Sequence, residues 1–187
     1  MAKKKGKLFV FSAPSGSGKS TIVKMILKEY PNLIFSVSAT TRKKRKDEIN
    51  GVHYHFISEK EFLKEIEVDN FIEWQRFYDY YYGTLKKVVE QNIEKGNSVV
   101  LEVDVKGAIQ IKQNYPNSVL IFIVPPSIEE LKKRLVKRNT ETDEDLKKRV
   151  ERAKMELSFA DKFDYAVVND RLENAIEKVK EIIQKEI

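Results

Sequence analysis

An apolar run, Leu8–Ser12, passes into Ala13-Pro14-Ser15-Gly16-Ser17-Gly18 and then into a helix-forming stretch that opens with Lys19-Ser20-Thr21. Strand, glycine-rich loop and helix in that order are the context in which a loop wraps a polyphosphate. Successive backbone N–H groups line such a loop, and the helix behind it points its positive end at the same anion. Gly16 and Gly18 let the backbone approach without a Cβ and take positive φ. Lys19 is then placed to bridge the outer phosphates, and the Ser20 hydroxyl to ligate Mg²⁺. Ala13 stands where the pattern usually opens with glycine. Glycine- and serine-rich turns between strand and helix are common, but the added Gly-Lys-Ser-Thr run favours a nucleoside triphosphate site.

The rest of the chain repeats the alternation. Strands are expected at Leu8–Ser12, Ile34–Ser38, Ser98–Val103, Val119–Val124 and Tyr165–Val168, each rich in Val, Ile, Phe or Leu. Such runs suit strands covered on both faces. Helices are expected at Lys19–Glu29, Glu59–Glu67, Leu85–Glu94, Lys106–Asn114, Ile128–Lys137, Glu144–Ala160 and Leu172–Glu186. Ser58 with Glu61 and Ser127 with Glu130 have capping-box spacing. Leu172, Ile176, Val179 and Ile183 form one apolar stripe, read as core packing. The pattern predicts an α/β fold with a mostly parallel sheet flanked by helices.

Two segments interrupt it. Residues 40–83 are rich in Arg, Lys, Tyr and His, with short strands expected at Val52–Phe56 and Phe71–Phe77. Arg134 to Arg152 is highly charged. Both read as insertions on the sheet, as expected where two substrates must be enclosed against water. The 187 residues suit one compact domain. No apolar run reaches the roughly 18 residues of a membrane span. Four lysines in the first seven residues lack a following apolar h-region, so secretion is not expected. Zero cysteines exclude disulfides and thiolate metal sites. The net charge of +6 fits a nucleotide cleft or a weak nucleic-acid surface and does not separate them.

A second site is suggested beyond the second strand, where Arg42 and Arg45 stand three apart in Thr40-Thr41-Arg42-Lys43-Lys44-Arg45. Arginine offers a planar fork of donors suited to phosphate oxygens. Downstream come Asn50-Gly51-Val52-His53-Tyr54, Phe71-Ile72-Glu73-Trp74 and Tyr81-Tyr82-Gly83-Thr84. A carboxylate in an aromatic setting, as Glu73 is, calls for a donor partner. Guanine supplies two adjacent donors, N1–H and the N2 amino group, whereas adenine would leave the charge unpaired. Read alone, a residue such as Glu73 is more often a partly buried, hydrogen-bonded carboxylate than a base reader, and the tyrosine run is equally hydrophobic packing. Trp74 is read as core. His53 and His55 are read as one face of an exposed hairpin and are assigned no metal.

With these residues the chain resembles the guanylate kinases from about Lys7 to its C-terminus. The resemblance implies a phosphate-loop, three-layer α/β core (about 7–37, 85–125 and 160–187), a GMP-binding lobe (about 38–84) and a lid (about 126–159). It implies that Ala13 to Thr21 and Asn169 bind ATP, and that Arg42, Arg45, Tyr54 and Tyr82 hold the GMP phosphate. Ser38, Glu73 and Thr84 would read guanine with help from Glu102, and Asp104 would lie near Mg²⁺ as well as GMP. Lys19, Arg42, Arg138 and Arg149 would be catalytic, and Ser20 and Asp104 would face the metal. Lys44, Lys106 and Asn139 depart from the family's usual proline, glutamine and glycine; Asn tolerates the left-handed conformation, so Asn139 keeps a turn available.

The activity so implied is ATP + GMP ⇌ ADP + GDP with Mg²⁺, in the cytoplasm, by a monomer or homodimer with no membrane or nucleic-acid partner. dGMP is a further expected acceptor. The attacking phosphate oxygen is already anionic, so alignment and charge neutralisation suffice. The competing readings are a non-catalytic module of the same fold that binds protein ligands and a kinase for another nucleoside monophosphate. Lys19 and Ser20, present here, weigh against the module.

Overall fold

The computed structural model describes residues 5–136 and 143–187. Its first sheet is parallel and five-stranded, in the order β2-β7-β1-β8-β9. The strands are β1 (Leu8–Ser12), β2 (Ile34–Phe35), β7 (Val99–Glu102), β8 (Val119–Val124) and β9 (Tyr165–Val168). Alternation along β1 divides the core between the sheet's two faces. Phe9 and Phe11 pack with Ile22 and Ile26 of α1 (Lys19–Glu29) and with Val179 and Ile183 of α7 (Leu172–Glu186). Leu8 and Val10 pack on the other side with Ala108 and Ile111 of α4 (Val105–Asn114). The fold class expected from the pattern stands.

A second sheet, in the order β4-β3-β6-β5, joins β3 (Ala39–Thr40), β4 (His55–Phe56), β5 (Phe71–Phe77) and β6 (Tyr80–Leu85). The single strand expected over Ile34–Ser38 is divided. Ser36 N–H still bonds to Val100 O at 3.0 Å, but Ala39 and Thr40 pair with Gly83 and Tyr82 instead. The serine-rich piece between crosses from one sheet to the other. The strand expected at Val52–Phe56 shrinks to His55–Phe56, parallel to β3 rather than in a hairpin. His53 lies outside it, its Nδ1 accepting from Ile49 N–H at 2.9 Å. Strand β6, not expected, closes an antiparallel hairpin with β5 through Tyr78 (φ 52°) and Asp79.

Helix α2 (Glu59–Glu67) opens with the full Ser58–Glu61 capping box, and α3 (Lys86–Glu94) starts one residue later than expected. In α5 (Ile128–Val136) the Ser127 hydroxyl accepts from Glu130 N–H. The next helix, α6 (Asp143–Leu157), ends before Ala160, where Ser158 folds its hydroxyl back onto Met155 O at 2.7 Å. Lys137, Arg138 and Asn139 lie outside the described residues.

Candidate active site

The carboxyl ends of β1 and β7 lie side by side because Phe11 is in register with Glu102. Ligands of parallel α/β sheets bind beyond these strand ends. Beyond β1 the chain turns through Gly16 and Gly18, both at φ 90°, and Gly18 caps α1 from the left-handed region. A cleft of about 1020 Å³ opens here. It is lined by Ala13 to Thr21, and by Arg45, Phe77, Asp104, Arg149 and Arg152 among others.

Register with β1 brings Glu102 to the loop. Ser20 donates its hydroxyl to Glu102 Oε2 at 2.7 Å, and Lys19 Nζ lies 3.6 Å from the same oxygen. Lys19 Nζ also reaches Val103 O at 3.4 Å. Burial pushes the Lys19 ammonium down, opposed by Glu102. Asn169, buried after β9, donates its side-chain amide to Ser17 O at 2.7 Å and so ties the loop to the far edge of the sheet. From α6, Arg149 donates to the Ser15 hydroxyl.

The second half of the site stands on the β5–β6 hairpin. Glu73 is 4% exposed and accepts from the Thr84 hydroxyl at 2.7 Å, with Ser38 Oγ 3.5 Å from Thr84 Oγ1. Burial raises the Glu73 carboxyl to about 7; the Thr84 bond opposes this and the Asp104 charge adds to it. Gly107 allows that approach, since a Cβ there would lie 2.9 Å from Glu73 Oε2 and 3.4 Å from Asp104 Oδ1. Asp104 itself caps α4 by accepting from Gly107 N–H at 2.9 Å. Glu102 and Asp104, two residues apart, thus turn one to the glycine-rich loop and the other to Glu73.

Trp74, expected in the core, is 40% exposed. Neighbours on a strand face opposite ways, so burying Glu73 turns Trp74 out.

Arg42 lies over the Tyr54 and Phe56 rings at 5.5 and 5.6 Å, and Tyr54 meets Tyr82 edge-on at 6.0 Å. Burial raises the Tyr54 hydroxyl. Arg42 is also paired with Glu48, at 2.7 Å from Nη2 to Oε1. The Arg45 side chain reaches the cleft from the same loop.

Sequence reasoning missed Glu48, Phe77, Arg152 and Glu156. Arg152 Nε donates to Glu156 Oε1 at 2.9 Å, its Nη2 lies 4.0 Å from Asp104 Oδ2, and its guanidinium covers the Phe77 ring at 4.3 Å. The signal was present: Arg149, Arg152 and Glu156 recur at three and four residues, the spacing of one helix face. Burial raises the Glu156 carboxyl against the pull of Arg152. Arg138, expected to meet the transferred group, lies outside the described residues.

Comparison with known proteins shows the family. The sequence pattern of the family described as guanylate kinase matches residues 5–186. The chain is 50% identical over 182 residues to a guanylate kinase of Thermotoga maritima, which spans 97% of this chain and 88% of the relative. It is 46% identical over 186 residues to that of Desulfitobacterium hafniense, covering 100% and 93%. The crystal structure of guanylate kinase from Anaplasma phagocytophilum superposes with a TM-score of 0.81 at 33% identity, covering 100% of this chain and 88% of that one.

Proposed function

This chain belongs to the guanylate kinase family and transfers a phosphoryl group from ATP to GMP, and we propose that it does so across the cleft between the glycine-rich loop and the second sheet. Ala13 to Thr21, with Asn169 behind them, hold the ATP polyphosphate. Arg42, Arg45, Tyr54 and Tyr82 hold the acceptor phosphate. Glu73, Thr84 and Ser38 read guanine, with Asp104 beside them. The second sheet with α2 is the acceptor lobe, and residues 126–159 are the lid.

The observation that carries this reading is the divergence of Glu102 and Asp104 from one strand end. It puts a carboxylate 2.7 Å from the Ser20 hydroxyl and another beside buried Glu73. A single strand terminus therefore spans both half-sites.

The donors at Ser20 and Glu102 fit Mg²⁺, a hard cation that takes oxygen ligands and relies on one or two protein groups plus substrate phosphates. We add Glu102 to Asp104 as a carboxylate facing that ion. Mg²⁺ would neutralise charge on the polyphosphate.

Lys19 and Arg149 supply cationic charge from opposite sides of the loop, and Arg138 is assigned to the same task by resemblance. The acceptor oxygen is anionic at neutral pH, so the site needs alignment and charge neutralisation rather than a general base. Exclusion of water by the lid keeps hydrolysis from competing. Among the described residues no helix is long and apolar enough to cross a membrane. We assign the enzyme to the cytoplasm as a monomer or homodimer, with dGMP as a second acceptor.

ADP release coupled to an optical assay, with GMP, AMP, UMP and dTMP offered in turn, tests the assignment. GMP is expected to be preferred by about 10⁴-fold over AMP, the discrimination of a site whose buried polar groups go unpaired with the wrong base. Comparable rates with AMP would refute the role given to Glu73.

A further inference from the structure

The loop after β3 carries a run of cations, Arg42-Lys43-Lys44-Arg45-Lys46, and its acidic end folds back onto them. Glu48 accepts from Arg42 Nη1 at 2.9 Å and Nη2 at 2.7 Å, a two-toothed pairing of fork and carboxylate. The same carboxylate accepts from the backbone N–H of Arg45 at 2.8 Å. The turn that presents it is closed twice more, by Glu48 N–H on Arg45 O at 3.2 Å and by Lys44 Nζ on Glu48 O at 2.9 Å. Both side chains of the pair are largely withdrawn from solvent, at 13% and 16% exposure.

We propose that Glu48 is a positioning residue for the acceptor. It fixes the Arg42 guanidinium in the orientation in which the GMP phosphate meets it, and stays in place when the phosphate binds. This rests on the reading of Arg42 as a phosphate ligand. A long arginine side chain left free would be ordered only on binding, and a preformed fork loses less freedom per hydrogen bond. Glu48 and Lys43 O occupy three of the five guanidinium N–H donors. The others remain for an anion arriving beside the Tyr82 hydroxyl, which already interacts with this guanidinium.

An alternative role, an internal anion that the phosphate displaces, fits the turn less well. Displacement would break the bond to Arg45 N–H along with both bonds to Arg42. The Glu48 carboxyl is held down at about 2 by Arg42 and by that backbone bond, so it is charged throughout the working range.

Steady-state kinetics of the full chain, with GMP and ATP varied separately, tests the proposal. Glu48→Gln keeps the shape and removes the charge. It is expected to raise KM for GMP about tenfold, the loss of one charge-assisted bond, while KM for ATP and the melting temperature hold. In an Arg42→Ala background the same substitution should add almost nothing. A KM for GMP that falls in Glu48→Gln would mean that the phosphate displaces the carboxylate, and an unchanged KM would remove any role; either overturns the proposal. So does an equal penalty with and without Arg42. If Arg42→Ala alone leaves the GMP titration unaltered, the phosphate reading of Arg42 falls first. Glu48→Asp, which keeps the charge on a shorter arm, should lie between wild type and Glu48→Gln.

Discussion

The Ser20 hydroxyl donates to Glu102 Oε2 at 2.7 Å, so the phosphate loop and the end of β7 are joined where the metal is assigned. Glu102→Gln keeps that contact's shape but replaces a hard anionic ligand with a neutral amide. We expect the Mg²⁺ concentration for half-maximal activity to rise several-fold, with GMP binding in the absence of metal unaltered. A Mg²⁺ titration that superposes on the wild-type curve would leave the metal end to Asp104 without Glu102.

Glu73 gives a pH signature. Its carboxyl is raised by burial from an ordinary 4.5 to about 7. Between those values the folded protein holds a proton that the unfolded chain has lost. Stability therefore falls as pH rises through that window and levels off above about pH 7. The full effect is on the order of 3 kcal/mol. Glu73→Gln should remove this component, so the variant gains stability over wild type as pH climbs. GMP binding has the opposite sign, because only the ionised carboxylate accepts both guanine donors. Wild-type affinity for GMP should improve toward pH 8 more steeply than that of Glu73→Gln. Parallel profiles for the two proteins would contradict the assignment.

The same residue shows what was legible in the sequence. The aromatic run around Glu73 and the cationic run at Arg42 mark a second site before any fold is drawn. The periodicity places the central strands β1, β7 and β8 because each is an apolar run buried on both faces. The second sheet was harder to read. Its β3 and β4 have two residues each, too short for alternation to register, and β6 opens on three tyrosines, with only Gly83 and Thr84 buried. Trp74 was misread because hydrophobicity alone does not say which strand face is covered. The contact of Glu102 with Ser20 and Lys19 could not be read either. It depends on β7 ending beside β1 in one particular register, and pairing register is a non-local property.

Lys19→Ala removes the one cation of the phosphate loop itself and leaves Glu102 facing Ser20 alone. Removing a preorganised charge from such a site typically lowers turnover by about 10²- to 10³-fold. We expect at least that loss, with a melting temperature close to wild type, since the cost of burying the Lys19 ammonium opposes its pairing with Glu102. Single-turnover measurement at saturating ATP separates this from weaker binding. Turnover near the wild-type rate would dismantle the loop assignment.

Gly18 answers for both the loop and the edge strand. It sits at φ 90°, where a Cβ is disfavoured, and that Cβ would drive into Asn169 Nδ2. Asn169 is the residue whose amide holds Ser17 O at 2.7 Å. Gly18→Ala therefore combines backbone strain of about 1–2 kcal/mol with the loss of this tie. In a 187-residue domain the strain alone lowers Tm by roughly 2–8 °C. The ATP requirement should rise while the GMP requirement changes little, because the acceptor residues stand on the other sheet. The double variant Gly18→Ala, Asn169→Ala relieves the collision but not the backbone strain. It is expected to regain part of the lost stability and little of the ATP affinity. Full recovery of both would show that collision, rather than backbone conformation, reserves this position for glycine.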